Sequence, residues 1–161
     1  MTQQEITMKC LLDNWYSNVS RMDNLFDLLT DAQLQQHVAP GRNRGIYLLG
    51  HMAAVHSRLL PMVGAGDQLH TYLDDIFLTS PDNVNTEMPA AADLRKYWKE
   101  VNGKLATHFS GMSADDWFTK HSAVSAEEFA KEPHRNKLNL LISRTTHMAY
   151  HFGQLVFLKS K

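Results

Sequence analysis

Two histidines four residues apart near the C-terminus, His147 and His151, are the residues of this sequence best suited to chemistry. At this spacing on an α-helix they lie about 40° apart around the axis, so their imidazoles can reach one shared cation. Arg144 and Gln154 belong to the same row with a helical repeat. Burying these polar groups without partners is costly. We interpret the row as part of a metal site; the alternative is that both histidines bond to backbone or water.

His51, in a second helical segment, is the expected third member of this set. The rest of its row is apolar: Leu48, Val55, Leu59 and Met62. Three histidine ligands hold a zinc ion with one position left open, which is the arrangement of catalytic rather than structural zinc sites. His108 is the main alternative ligand, because it continues the apolar row of a third helix.

The remaining histidines have simpler interpretations. His56 follows His51 by five residues, which is about 140° around a helix, so we do not expect these two to share one ion. Four others lie in polar connections, where we expect them to be solvated: His37, His70, His121 and His134.

Arg144 and Gln154 are candidate catalytic residues beside the ion. Water bound to such a zinc ion has a pKa of about 7, and a bound thiol loses its proton. Arg144 could hold a carboxylate or an oxyanion there, and the alternative is a salt bridge to Asp13 or Asp23. Gln154 either orients His151 or contacts a ligand, and its alternative is a hydrogen bond to the backbone.

Acidic residues are missing from both histidine-bearing segments. A general base therefore has to come from another part of the chain, and three carboxylates are candidates: Asp13, Asp23 and Glu87. No Glu-x-x-His or His-Glu-x-x-His sequence occurs, which excludes ferritin-like di-iron bundles and zincin proteases.

Four long segments with helical periodicity must position these residues. The first is the clearest, because apolar residues from Met8 to Leu29 alternate steps of four and three, with Asn14 and Asn18 facing outward. This pattern predicts an all-α fold, a single-domain four-helix bundle over residues 1–161. We predict helices over residues 4–29, 46–63, 90–110 and 138–159, and long connections over 64–89 and 111–136.

The connections contain weaker signals. Residues 30–45 are predicted to be a connection that ends in several helix-breaking residues, and residues 67–78 to form a short helix capped by Asp67. Two Ser-x-x-acid sequences, beginning at Ser113 and Ser125, predict the starts of short helices in the last connection.

Composition argues against several classes of function. The formal net charge of −1 argues against an electrostatic grip on nucleic acid or on an anionic membrane. No apolar run approaches the length of a membrane span, and the first residues lack the pattern of a signal peptide. Cys10 is the one cysteine, so an intrachain disulfide is excluded, and we expect it to pack rather than react. These features together predict a cytoplasmic protein.

Two short motifs, GHMAAVH at residues 50–56 and HMAYHFGQL at residues 147–155, resemble the DinB-like family of metal-dependent enzymes. The family pattern is a Gly-His pair on the second helix and His-x-x-x-His-x-Gly-Gln on the last. The resemblance extends over the chain length and the helix order. The matching positions are Gly50, His51, His147, His151, Gly153 and Gln154.

This resemblance implies a four-helix bundle that binds a divalent metal ion, zinc or nickel, through His51, His147 and His151. It also implies homodimers and a small-molecule substrate, with either thiol-dependent S-transfer or hydrolysis as the reaction. A low-molecular-weight thiol is then a candidate partner. Two other functions stay open: a sensor that binds a ligand at the metal without turnover, and a structural helical bundle that dimerises.

Overall fold

The structure is a computed structural model that describes residues 1–84 and 87–160, and within these ranges it contains no β-strand. The predicted all-α fold is therefore confirmed. Two 3₁₀-helices cover Asp115–Phe118 and Val156–Ser160. None of the described helices combines the length and apolarity needed to span a bilayer. The α-helices are α1 (Gln3–Leu28), α2 (Asp31–Leu34), α3 (Gly45–Val63), α4 (Leu73–Phe77), α5 (Ala91–Ser110), α6 (Ala126–Lys131) and α7 (Lys137–Leu155).

The four long helices, α1, α3, α5 and α7, begin within one residue of their predicted starts. The prediction that the last helix continues to residue 159 is wrong, because α7 ends at Leu155 and the chain tightens into a 3₁₀-helix. Helix α3 packs against α5 and α7, and α1 packs against the same two helices. These contacts bury the apolar rows, including the indole rings of Trp15 and Trp98.

The connections contain more helix than the sequence predicts. Helix α2 lies in the 30–45 segment, where no helix is expected; Thr30 accepts a hydrogen bond from the Gln33 N–H, and the Gln33 side chain accepts one from the Thr30 N–H. Helix α4 lies within the predicted 67–78 segment but begins at Leu73, so Asp67 does not cap it.

Both predicted capping sequences in the last connection form hydrogen bonds. The Ser125 hydroxyl accepts from the Glu128 N–H and starts α6. The Ser113 hydroxyl accepts from the Asp116 N–H, where the first 3₁₀-helix begins.

Two side chains differ from their predicted positions on α1. Asn18 is buried rather than outward, and its amide donates to the Asn14 carbonyl, so its polar group is satisfied within the helix. Cys10 is exposed rather than packed.

One histidine, His56 of α3, lies fully inside the core. Its ring contacts Trp15 and Trp98 at centroid distances of 5.0 and 4.8 Å, and its Nδ1 donates to Asn102 Oδ1 at 2.8 Å. The Asn102 amide donates in turn to the Trp98 carbonyl, which fixes Oδ1 as the acceptor. Burial lowers the pKa of His56 from 6.5 to about 4, because the core disfavours the charged imidazolium.

The His56 shift predicts acid sensitivity of the fold. Between pH 6.5 and pH 4 the unfolded chain takes up a proton on His56 that the folded chain does not, so the free energy of unfolding falls as the pH falls. The loss is about 3 kcal/mol for a shift of this size. Urea unfolding of metal-free protein at pH 7.5 and pH 4.5 measures it. In His56→Phe, which keeps an aromatic ring but cannot titrate, we expect a smaller difference between the two pH values; an equal difference would contradict this.

Candidate metal centre

The structure brings together the three predicted ligands, His51 of α3 and His147 and His151 of α7. Each offers one ligand atom, and these atoms lie within 4.8 Å of one another. The Nε2 atom of His147 is 3.2 Å from Nε2 of His51 and 3.0 Å from Nε2 of His151. The four-residue spacing on α7 and the packing of α3 against α7 produce this cluster.

The hydrogen bonds of two rings fix where their protons lie. Nδ1 of His51 contacts the Phe77 carbonyl at 2.9 Å, and Nδ1 of His151 contacts Gln154 Oε1 at 2.8 Å. A carbonyl oxygen only accepts, so both Nδ1 atoms carry the proton and both Nε2 atoms present a lone pair. Oxygen partners of this kind commonly orient metal-binding histidines.

His147 makes the cluster fit a cation. Its Nδ1 is buried without a hydrogen-bond partner in the described part of the chain, and its Nε2 faces the other two Nε2 atoms. A neutral His147 with its proton on Nε2 can donate a linear hydrogen bond to only one of these two atoms, whereas a cation between the three nitrogens satisfies all of them. Two nitrogens bound to one tetrahedral zinc ion at about 2.0–2.1 Å are about 3.3–3.4 Å apart. The observed separations are close to that value, so the donor set fits the ion.

The three rings are held neutral. Burial is the largest cause that lowers the pKa of His51, His147 and His151, and the pKa of His147 falls to about 3 because the other two rings and Arg144 also disfavour its protonation. Neutral imidazole is the form that binds a metal ion, so the environment favours metal binding over protonation.

The connection after α3 holds His51 in place. The carbonyl that accepts its Nδ1–H belongs to Phe77 at the end of α4, and a Cβ at Gly50 would overlap the Phe77 ring. Gly50 therefore allows Phe77 to pack against α3. The Tyr47 hydroxyl donates its one proton to the Ser80 carbonyl at 2.6 Å and lies 3.2 Å from the Phe77 carbonyl. The sequence did not point to Phe77 or Tyr47, because both act through backbone carbonyls: Phe77 accepts from His51 through its own, and the Tyr47 hydroxyl contacts those of Phe77 and Ser80.

Gln154 contacts His151 as expected of an orienting residue. Its Oε1 accepts from His151 Nδ1, and its Nε2 donates to the Tyr150 hydroxyl at 3.1 Å. The amide oxygen and nitrogen are thus both engaged within one turn of α7, which keeps the His151 ring in one orientation.

Arg144 lies beside the cluster without an acidic partner among residues 1–84 and 87–160. It is half-buried, its Nε is buried without a partner, and its charge contributes to the lowered pKa values of His51 and His147. The alternative of a salt bridge to Asp13 or Asp23 is wrong. Both carboxylates accept hydrogen bonds from other residues: Asp13 from the Lys9 ammonium, and Asp23 from the Trp98 indole N–H.

A small cavity of about 220 Å³ adjoins the cluster at His151. None of the three candidate carboxylates lines it: Asp13, Asp23 or Glu87. Its lining residues come from α7, from the start of α3 and from the turn before it: Val38, Gly41, Arg42, Asn43, Leu48, Tyr150, His151 and Gln154.

The other histidines lie apart from the cluster. The rival ligand His108 instead donates from Nε2 to the Val63 carbonyl at 3.1 Å. The prediction that His70 and His121 are solvated is wrong, because both are partly buried. The His70 ring stacks on Tyr97 at 3.8 Å and contacts Glu100 at 2.8 Å. His37 and His134 are exposed.

Comparison with known proteins identifies the family. A family model described as the DinB superfamily matches residues 15–155, from α1 to the end of α7. The chain belongs to the DinB superfamily. No curated protein matches the chain. The matched region contains all three clustered histidines, and DinB membership together with this cluster fits a metal-dependent protein.

Alanine substitutions at Gly50 and at Gly103 should change the free energy of unfolding in opposite directions, because only Gly50 packs against the Phe77 ring. Gly50→Ala should lower the free energy of unfolding by about 1–3 kcal/mol, because the added methyl overlaps a buried ring. Gly103→Ala, in α5 with open space around its Cα, should raise it by about 0.5–1 kcal/mol through helix propensity. Urea unfolding measures both, and a Gly50→Ala protein as stable as the parent would contradict the packing.

Loss of one histidine should abolish metal binding while the helices remain. We expect protein purified without nickel resin and then loaded to hold about one equivalent of zinc or nickel, and His147→Ala or His151→Ala to hold none. Metal content and helical circular dichroism measure this, with the exposed His134→Ala as control. Equal metal content in His151→Ala and His134→Ala would show that the cluster is not the site.

Proposed function

We propose that this DinB-superfamily protein is a metal-dependent enzyme whose divalent ion, zinc or nickel, is held by His51, His147 and His151. The observation that carries the proposal is the convergence of three Nε2 atoms, two of them with protons fixed on Nδ1. Such an ion supplies Lewis acidity, which lowers the pKa of water or thiol at its open position. The reaction we propose is thiol-dependent S-transfer or hydrolysis of a small substrate.

The roles we propose for Arg144 and Gln154 follow from their surroundings. Gln154 is a positioning residue, because it holds the His151 ring through Nδ1. Arg144, which has no acidic partner in the described part of the chain, places a positive charge beside His147, where it stabilises negative charge that develops on the substrate. A half-buried arginine without a carboxylate is costly in a folded protein, and an anionic substrate group would offset that cost.

Assembly of the protein is part of the same proposal. We propose that the four long helices form a four-helix bundle within a single domain, and that two copies form a homodimer. Exposed apolar side chains on and just after α7 support a protein contact there: Ile142, Tyr150 and Phe157. The near-neutral net charge supports a protein that binds neither nucleic acid nor an anionic membrane, and the single cysteine fits the reducing compartment of a cytoplasmic protein.

A sensor that binds a ligand at the metal without turnover is the second candidate. One observation favours it: no acidic side chain of the described residues lines the cavity beside His151, so no carboxylate is placed there to act as general base. A thiol-transfer reaction would not require such a base, because an ion held by His51, His147 and His151 would lower the pKa of a thiol enough for water or buffer to take up its proton.

Turnover measurements separate the two candidates. Zinc- or nickel-loaded protein is assayed with a panel of aryl halides, epoxides and esters, with and without low-molecular-weight thiols. We expect turnover, and we expect it to be lost when a chelator removes the metal. In Arg144→Gln, kcat/KM should fall by about 10–100-fold, which corresponds to the loss of one charged hydrogen bond.

Arg135→Gln is the matched control, because Arg135 pairs with Glu128 and Glu132 at the far end of α7. Full metal content without turnover for any pair in the panel would favour the sensor. Turnover that survives removal of the metal would overturn the metal-dependent mechanism.

A further inference from the structure

We infer that the site takes a small organic acid, and that Arg42 binds its carboxylate in the cavity beside His151. This inference rests on the proposed function, because it places one end of the ligand at the three-histidine ion. It adds the chemical class of the ligand and the residue that selects it.

Charge balance at the cluster favours an anion. Three neutral imidazoles leave the full charge of a divalent ion uncompensated, since histidine contributes no negative charge. The described lining of the cavity contains one cationic side chain, Arg42, and no acidic one. An anionic ligand is therefore the electrostatic complement of this cavity.

Arg42 sits on a turn that faces α7 across the cavity. The turn is closed by hydrogen bonds from the Val38 N–H to the Asn43 carbonyl at 3.1 Å and from the Arg42 N–H to the Ala39 carbonyl at 3.0 Å. Gly41 has φ +70°, a conformation that suits glycine. Val38, at the base of the turn, is buried. The turn is thus anchored to the core, and the Arg42 backbone has a defined place beside the cavity.

Arg42 is available for a ligand, unlike most arginines of the chain. The Arg42 side chain is exposed, and no carboxylate within residues 1–84 and 87–160 forms an ion pair with it. The arginines that do form ion pairs are Arg44 with Asp82, Arg58 with Asp74, Arg95 with Asp31, and Arg135 with Glu128. A free guanidinium on an anchored turn can bind a carboxylate through two parallel hydrogen bonds.

The cavity volume limits the ligand. About 220 Å³ is below the roughly 300–1,000 Å³ of pockets that enclose drug-sized molecules, so the cavity accommodates a short acid or one end of a longer one. Arg144 does not line this cavity, because it lies about two helical turns, roughly 10 Å along the axis of α7, before His151. The two arginines therefore have separate tasks: Arg42 selects the carboxylate, and Arg144 sets the charge beside His147.

Cobalt-loaded protein tests this assignment without turnover. Metal-free protein is loaded with Co²⁺, whose visible spectrum reports the site, and is titrated with mercaptoacetate and with the neutral 2-mercaptoethanol. The sulfur-to-cobalt absorption gives the two dissociation constants, compared at equal thiolate concentration. We expect mercaptoacetate to bind about tenfold more tightly, the value of one charge-assisted hydrogen bond.

Arg42→Gln should remove this preference and leave the cobalt spectrum of the ligand-free protein unchanged, whereas Arg135→Gln should keep it. Arg144→Gln should weaken both thiols alike. Equal affinities in the parent protein, or a preference that persists in Arg42→Gln through chelation of cobalt by the acid itself, would overturn the inference but not the metal site. Failure of the protein to bind cobalt would overturn the proposed function as well.

Discussion

The structure depends on one electrostatic constraint: the Nε2 atoms of His51 and His151 lie 3.2 and 3.0 Å from Nε2 of His147, and the first two must present lone pairs. Charging the rings is disfavoured, because burial lowers the pKa of all three. A neutral His147 can donate its one Nε2 proton to only one of its two neighbours, whereas a divalent cation satisfies all three nitrogens at once. The packing of α3 on α7 that brings the rings together is stabilised by apolar burial elsewhere, so the folded chain presents the donor set in advance of the ion.

The polar groups around the cluster fall into two classes. The Phe77 carbonyl and Gln154 accept ring protons through hydrogen bonds of 2.9 and 2.8 Å, and the Tyr47 hydroxyl contacts the Phe77 carbonyl. Arg144 Nε and His147 Nδ1, in contrast, are buried without a partner among the described residues. The first class fixes geometry, while the second leaves hydrogen-bonding capacity and positive charge for what the site binds.

Periodicity in the sequence was sufficient to predict the long helices, because the apolar rows of α1 and α3 are long. The i, i+4 spacing of His147 and His151 also occurs by chance. The histidine set was predicted from its context: the polar row that contains Arg144 and Gln154, and the otherwise apolar row around His51. Prediction failed where a non-local or main-chain contact decides the outcome. Stacking on Tyr97 leaves His70 half-buried, and the Trp98 indole N–H donates to Asp23, one of the two carboxylates considered as a partner of Arg144. Neither contact leaves a local pattern in the chain.

The hydrogen bond from His51 to position 77 has a genetic consequence. Its acceptor is the backbone oxygen of residue 77, which all twenty amino acids carry. Substitutions at position 77 therefore keep the acceptor and change only how the side chain packs. Selection can thus act on this hydrogen bond through changes that move the backbone, such as insertions, deletions or substitutions at Gly50 and Tyr47, rather than through the chemistry of the side chain at position 77.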